Sequence, residues 1–320
     1  MKINFVNELP KNSGGIYAVC NTMMKNLKNH KVQVTANKLN NYDILHVNTV
    51  GPFSMYQIKL ARKMGKRVVI HAHSIDKDFE NSFTFSNELS SYLGKYLKYF
   101  YNKADVVISP TKYSKNELIR MGVKKPIEII SGGVDINKFK PLKKPCKEYI
   151  FSVGQVFLRK GIDTFISLAK EFQNTKFKWF GPSYNYLFTN PIKMNRILND
   201  ASPNFELEGF AKNIIKVYQN GKIFVFPSYE ETQGIPVIEA AACEKPIIIR
   251  DIPVYDGIMK NYKNCIMCKS DKDFKDAVDL LLKNDKLQKR LGKEAMKVAE
   301  KNSTEITTKK LIKLYKNLLN

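Results

Sequence analysis

The chain has 320 residues, with 53 lysines and arginines against 30 aspartates and glutamates, a formal net charge of +23. Its 43% hydrophobic and 11% aromatic content excludes a disordered chain, and the length favours two domains, each with a sizeable core. No stretch approaches the roughly 20 apolar residues of a spanning helix, and Met1-Lys2 runs into "INFV" without a signal-peptide pattern. The expected setting is the cytoplasm, or a membrane surface reached from the cytoplasmic side. So large an excess of positive charge favours a polyanionic partner, whether nucleic acid, anionic lipid or a phosphorylated substrate.

In chain order, "INFV", "DILHVN", "RVVIHAH", "DVVIS" and "IEIIS" read as buried strands. Amphipathic helical patterns separate them near residues 15–29, 54–65, 87–103 and 114–121. A polar, proline-bearing stretch, "KFKPLKKPCKEY", marks a linker near residues 140–147. The alternation restarts with "YIFSVG", "FKWFG", "FELEGF", "IFVFPS" and "PIIIRD", and the last fifty residues are helical and lysine-rich. Strands alternating with helices predict parallel sheets covered on both faces. The expected fold is α/β, with two Rossmann-like doubly wound domains facing across a cleft. Expected boundaries are 1–141, 142–300 and a C-terminal helix, 301–320, placed to pack back on the N-terminal domain.

The most informative stretch is "FPSYEETQGIPVIEAAA". A buried strand ends in a polar loop, and a helix starts near Gly234 to Pro236, where proline suits the first turn. The amides of Thr232, Gln233, Gly234 and Ile235, with the helix dipole, predict a phosphate site. Glu231, just outside, would repel a bare phosphate. It is explained if it accepts hydrogen bonds from hydroxyls attached to that phosphate, and Glu239, one turn inside, from a second set. Sugar, diphosphate and ribose in a sugar nucleotide have that layout. A helix start with acidic residues in its first turn explains Glu239 but not the whole arrangement.

A second anion-binding pattern lies in "FSVGQVFLRKGIDTF", where Gly154 turns the chain and the basic pair Arg159 and Lys160 opens a helix. In so basic a chain such a pair would be unremarkable; its place after the first strand of the second domain favours a role on a diphosphate. Gly14 and Gly15 fill the corresponding turn of the first domain, which by itself is a weak signal. His71 and His73 end the "RVVIHAHS" strand.

Together these stretches resemble the family 4 retaining glycosyltransferases of the GT-B fold, by the E-x7-E spacing of Glu231 and Glu239, the "G…RKG" phosphate motif and the strand-end histidine. Gln155 departs from that family pattern, which often has arginine there; this makes Lys160 the safer match, with Arg159 compensating. The resemblance implies a donor-sugar contact for Glu231 and His73, a ribose contact for Glu239, and diphosphate contacts for Arg159 and Lys160. Gly14, Gly15, Gly154 and residues 232–235 then line the donor site. It implies UDP-glucose or UDP-galactose as donor and no required cofactor or metal. "Asp76-Lys77-Asp78" spells D-x-D, but after a Rossmann-like strand this carries little weight. Cys265 and Cys268 form the single C-x-x-C, without a second ligand pair for zinc.

Lys59, Arg62, Lys63 and Lys66 form a basic stripe at helical spacing, and Leu89, Tyr92, Leu93, Tyr96, Leu97 and Phe100 an apolar one beside Lys95, Lys98 and Lys103. Most of the apolar stripe is expected in the core; its tyrosines and the lysines suit a lipid interface. The loop "SIDKDFENSFTFSNE" is placed to receive an acceptor. The run from His71 to Asn116 is similar to bacterial diglycosyl-diacylglycerol synthases, implying a glycolipid acceptor, an anionic membrane partner and a peripheral place on the inner face of the cell membrane. The alternative within the class is capsule, lipopolysaccharide or exopolysaccharide synthesis. A nucleic-acid-binding protein is the alternative outside it, but no binding module is present and the cleft motifs would be idle.

Overall fold

The computed structural model describes residues 1–10, 14–80, 82, 86–142, 148–183 and 191–320. Parts of the expected linker (143–147), of the acceptor loop (81 and 83–85) and of the first glycine turn (12–13) lie outside these. The chain forms two compact units, one of residues 1–78, 89–135 and 302–320, the other of 79–88 and 136–301.

In the first unit the order is β1 (Lys2–Val6), α1 (Gly15–Asn29), β2 (Gln33–Ala36), β3 (Ile44–Val47), α2 (Pro52–Lys63), β4 (Arg67–His71), α3 (Ser86–Tyr101), β5 (Val106–Ser109), α4 (Lys112–Arg120) and β6 (Ile127–Ile129). Strand pairing is parallel throughout, in the order β2-β1-β3-β4-β5-β6. The runs read as strands bury every residue of β3 and β5, as expected where helices cover both faces.

The second unit contains β7 (Tyr149–Val153), α5 (Ile162–Glu171), β8 (Lys176–Phe180), α6 (Pro191–Asn199), β9 (Phe205–Gly209), α7 (Ile214–Asn220), β10 (Ile223–Phe226), α8 (Ile235–Ala242), β11 (Ile247–Arg250), β12 (Ile266–Cys268), α9 (Asp271–Leu282) and α10 (Asp285–Lys301). Its sheet is also parallel, in the order β12-β11-β10-β7-β8-β9. One face packs Trp179, Phe165 and Phe177 into a core; the other packs Phe151, Tyr218 and Phe224 ring to ring. The final helix, α11 (Thr304–Leu319), belongs to the first unit and packs on α1. No described helix is long and apolar enough to cross a membrane.

Each sheet reverses its strand order once, at β1/β3 and at β7/β10. Ligands of open α/β sheets bind outside the carboxyl ends of the strands at such points. The ends of β7 and β10 carry Gly154 and the Pro227–Glu231 loop.

Candidate active site

The site residues expected from sequence divide between the units. Gly154, Arg159, Lys160, Thr232 to Ile235, Glu231 and Glu239 lie on the second; Gly14, Gly15 and His73 lie on the first.

On the second unit, β10 is wholly buried and delivers the chain to Ser228 and Glu231, which is only 6% exposed. The Glu231 carboxylate accepts hydrogen bonds from Lys160 Nζ and, at 2.8 Å, from Ser228 Oγ. Burial by itself would raise its pKa. The charges of Lys160 and Arg159 and these hydrogen bonds outweigh that and hold it below the ordinary carboxylate range. Lys160 also lies 5.7 Å above the Phe226 ring. Arg159 Nη1 donates to the Glu230 carbonyl at 2.7 Å, while the Arg159 carbonyl accepts from the Tyr229 amide at 2.8 Å.

The basic pair does not open α5, as the sequence suggested. It occupies a separate 3-10 turn, Leu158–Lys160, closed by Gly161 in the left-handed region at φ 74°. A Cβ on Gly161 would lie 2.3 Å from the Pro227 carbonyl oxygen, so the β10 loop presses against this turn and fixes the break. Gly154 is different: a Cβ there would meet nothing closer than 3.8 Å, next to the Lys160 stem and Trp179. Gly154 thus packs at ordinary contact distance from the Lys160 stem, and no close approach there demands a glycine.

Gly234 caps α8 at φ 71° and ψ 51°, and a Cβ on it would lie 2.7 Å from the Tyr255 hydroxyl. Pro236 falls in the first turn, as read from sequence. The amides of Gly234 and Ile235 have no hydrogen-bond partner among the described residues, which leaves an α-helix N-terminus open to an anion. Glu239, one turn on, is partly exposed. Burial pushes its carboxyl up to about 7, with the Tyr218 hydroxyl acting in the opposite direction.

On the first unit, His73 follows β4 with its Nε2 3.2 Å from Asn48 Oδ1. It stacks on buried His71 at 4.1 Å between ring centroids, and burial pushes its pKa down to about 4. His71 is lowered by burial and then by the charges of its two histidine neighbours. Gly14 caps α1 at φ 116°, whereas a Cβ on Gly15 would meet nothing within 4 Å. Asp76 is taken up by a bidentate contact with Arg120, at 2.6 and 2.8 Å, and Asp78 accepts from the Ile75 amide. Both acids of the D-x-D are thus engaged within the first unit. Cys265 and Cys268 are buried thiols whose pKa values burial pushes up to about 12, and no cluster of metal-ligating side chains occurs among the described residues.

Ser228, Asn48 and Arg250 also shape these sites and are not among the residues expected from the sequence. Ser228 and Asn48 lie in polar loops without a spacing rule; Arg250, a cation ending the run "PIIIR", was the one readable signal.

Residues 5–138 match the family model of Glycosyltransferase Family 4, and residues 134–298 that of Glycosyl transferases group 1. The chain belongs to the family 4 glycosyltransferases. This glycosyltransferase is 30% identical over 303 residues to the processive diacylglycerol alpha-glucosyltransferase of Acholeplasma laidlawii, covering 90% of this chain and 89% of that one. It is 25% identical to the alpha-galactosylglucosyldiacylglycerol synthase of Streptococcus pneumoniae, over 82% of this chain and 76% of the relative. Anabaena HepE, solved with UDP and glucose, matches with a TM-score of 0.79 at 14% identity, covering 99% of both chains. Sucrose-phosphate synthase of Thermosynechococcus elongatus matches at 0.84 and 15% identity, over 99% of this chain and 98% of that one. These structural likenesses show the GT-B fold expected from the sequence.

Proposed function

We propose that this glycosyltransferase is a retaining hexosyltransferase that moves glucose or galactose from a UDP-sugar to a membrane glycolipid such as glucosyl-diacylglycerol. The contact of Lys160 with buried Glu231 beside the open start of α8 carries the reading. It puts a cation for phosphate and an ionised carboxylate for hydroxyls at one strand end. A donor diphosphate drawing Lys160 to itself frees Glu231 to accept from the sugar hydroxyls. Arg159, Lys160 and the amides of Gly234 and Ile235 hold the diphosphate, Glu239 the ribose hydroxyls, and His73 the sugar.

In the transfer step the bond from the sugar carbon to the diphosphate oxygen breaks, and the acceptor oxygen bonds to that carbon from the same face. The acceptor's proton passes to the departing diphosphate. The basic pair and helix start stabilise the charge that develops there, so no divalent cation is needed and transfer is expected to continue in a chelator.

The names of the relatives support the lipid acceptor, and the UDP-glucose complex of HepE supports the donor. The first unit supports a membrane surface. On α3, Tyr92 is 70% exposed and Tyr99 52%, each beside a lysine, Lys95 at 5.5 Å and Lys103 at 4.2 Å from the ring centroids. Leu97 and Phe100 of the same stripe are core. On α2, Lys59 and Lys63 are exposed, whereas Arg62 is engaged by Asp105. Exposed tyrosines with lysines suit an anionic lipid interface.

The test is mass spectrometry of lipids after incubation with UDP-glucose or UDP-galactose, with and without glucosyl-diacylglycerol in anionic vesicles. One added hexose is expected, and a fall of about 10²-fold or more in Glu231→Ala. Undiminished transfer by that variant refutes the role of Glu231; full transfer to a soluble sugar without lipid refutes the glycolipid acceptor.

A further inference from the structure

Arg250 ends β11 next to the strand that delivers Glu231, β10, with Phe226 paired to Ile249. The residue is only 8% exposed, and its Nε, its Nη2 and the face of its guanidinium are all engaged. Nε donates to the Pro227 carbonyl at 2.9 Å. Nη2 donates to Thr164 Oγ1 at 3.0 Å and lies 3.6 Å from the Asp271 carboxylate. The planar group lies over the Tyr229 ring at 3.9 Å and near Phe274 at 5.1 Å. Thr164 in turn donates to Asp271 at 2.7 Å.

We propose that Arg250 is a positioning residue that fixes the Pro227–Glu231 loop and so sets where the Glu231 carboxylate stands. Two of the five loop residues, Pro227 and Tyr229, are held by Arg250. Other restraints on the loop include Arg159, through its bonds to Tyr229, Ser228 and Glu230, Thr164 at the Tyr229 hydroxyl, and Lys160 and Ser228 on the carboxylate. Arg250 is therefore the anchor from the β11 side, opposite the basic turn. A buried guanidinium is costly to desolvate, and one carboxylate at 3.6 Å offsets that poorly. A planar fork that bonds a carbonyl, bonds a hydroxyl and stacks on a ring cannot be reproduced by lysine. An arginine that only stitched β11 to α5 and α9 would need Thr164 and Asp271, and would not need to grip the loop at a carbonyl and a ring.

The role in transfer rests on the donor reading proposed above, so the test has one arm that depends on it and one that does not. Hydrogen exchange followed by mass spectrometry compares Arg250→Lys with the parent protein. Exchange is expected to rise at least fivefold in peptides covering residues 227–231, with β7, β8 and β10 unchanged. In the second arm, kcat is expected to fall at least tenfold while UDP affinity stays within twofold, because UDP lacks the sugar that Glu231 contacts. Tyr229→Ala is expected to behave in the same way, Tyr229→Phe to recover kcat by keeping the ring, and the Arg250→Lys/Tyr229→Ala pair to be no worse than either single change. Unchanged exchange in the loop overturns the clamp; so does a parallel loss of exchange protection across the whole second unit, which marks a purely structural arginine. A loosened loop with full kcat overturns the link to Glu231. If the parent protein neither binds UDP-glucose nor transfers sugar, the donor reading fails and the exchange arm still decides the clamp.

Discussion

Glu231 and Glu239 are eight positions apart, yet their surroundings set opposite ionisation. Two cations and a hydroxyl hold Glu231 ionised, while burial raises Glu239 to about 7. Taking up a proton on folding, Glu239 makes stability fall as pH rises from its unfolded value near 4.5 through about 7. Its proposed task, accepting hydrogen bonds from ribose hydroxyls, needs the ionised form. UDP-glucose carries no phosphate group that titrates near neutrality, so it isolates the effect. Its affinity, measured by calorimetry, is expected to rise between pH 6 and 8 and level off above. His73, down near 4, and Glu231, held low, do not titrate in that window. Glu239→Gln should bind more weakly with a flat profile; a flat profile in the parent protein would contradict the assignment.

The N-terminus of α8 depends on a packing fit as much as on local preference. Gly234 adopts a left-handed conformation and its missing Cβ leaves room for the Tyr255 hydroxyl. Gly234→Ala is expected to cost roughly 1–2 kcal/mol for the left-handed backbone and more for the overlap, and to weaken UDP-glucose binding. Adding Tyr255→Phe removes the clashing oxygen, which has no hydrogen-bond partner among the described residues, and should recover part of the melting temperature. No recovery in the double variant would mean that backbone strain alone is at work. The α8 start was legible in the sequence because glycine and proline mark it locally. The break between the basic pair and α5 was not, since its cause is the Pro227 carbonyl, 66 positions away in sequence from Gly161. β2 was missed for another reason: its residues are exposed or half-buried at a sheet edge, so "QVTA" lacks the apolar run that reveals β3 and β5. The repeated strand-helix alternation carried the rest, because parallel strands covered on both faces must be apolar throughout.

At the scale of the molecule, the chain completes its first unit only after passing through the second. α11 buries Leu311, Leu314 and Tyr315, and Tyr315 meets His46 of β3. Gly133, at φ 76°, has no room for a Cβ because Thr307 Oγ1 would lie 2.6 Å away. Tyr315→Ala is expected to cost about 3–5 kcal/mol and to lower the melting of the first unit. The second unit should keep its unfolding transition, so calorimetry should show two separated transitions in place of closer ones. A common downward shift of both would show that the units unfold together. This arrangement has a consequence during synthesis. Residues 302–320, which the first unit needs, emerge only after residues 136–301 have been made. At about 5–20 residues per second, the α1 and β3 surfaces that α11 covers stay open on the ribosome for roughly ten to thirty seconds. A nascent chain is therefore expected to keep apolar surface of its first unit uncovered while residues 136–301 can already be folded.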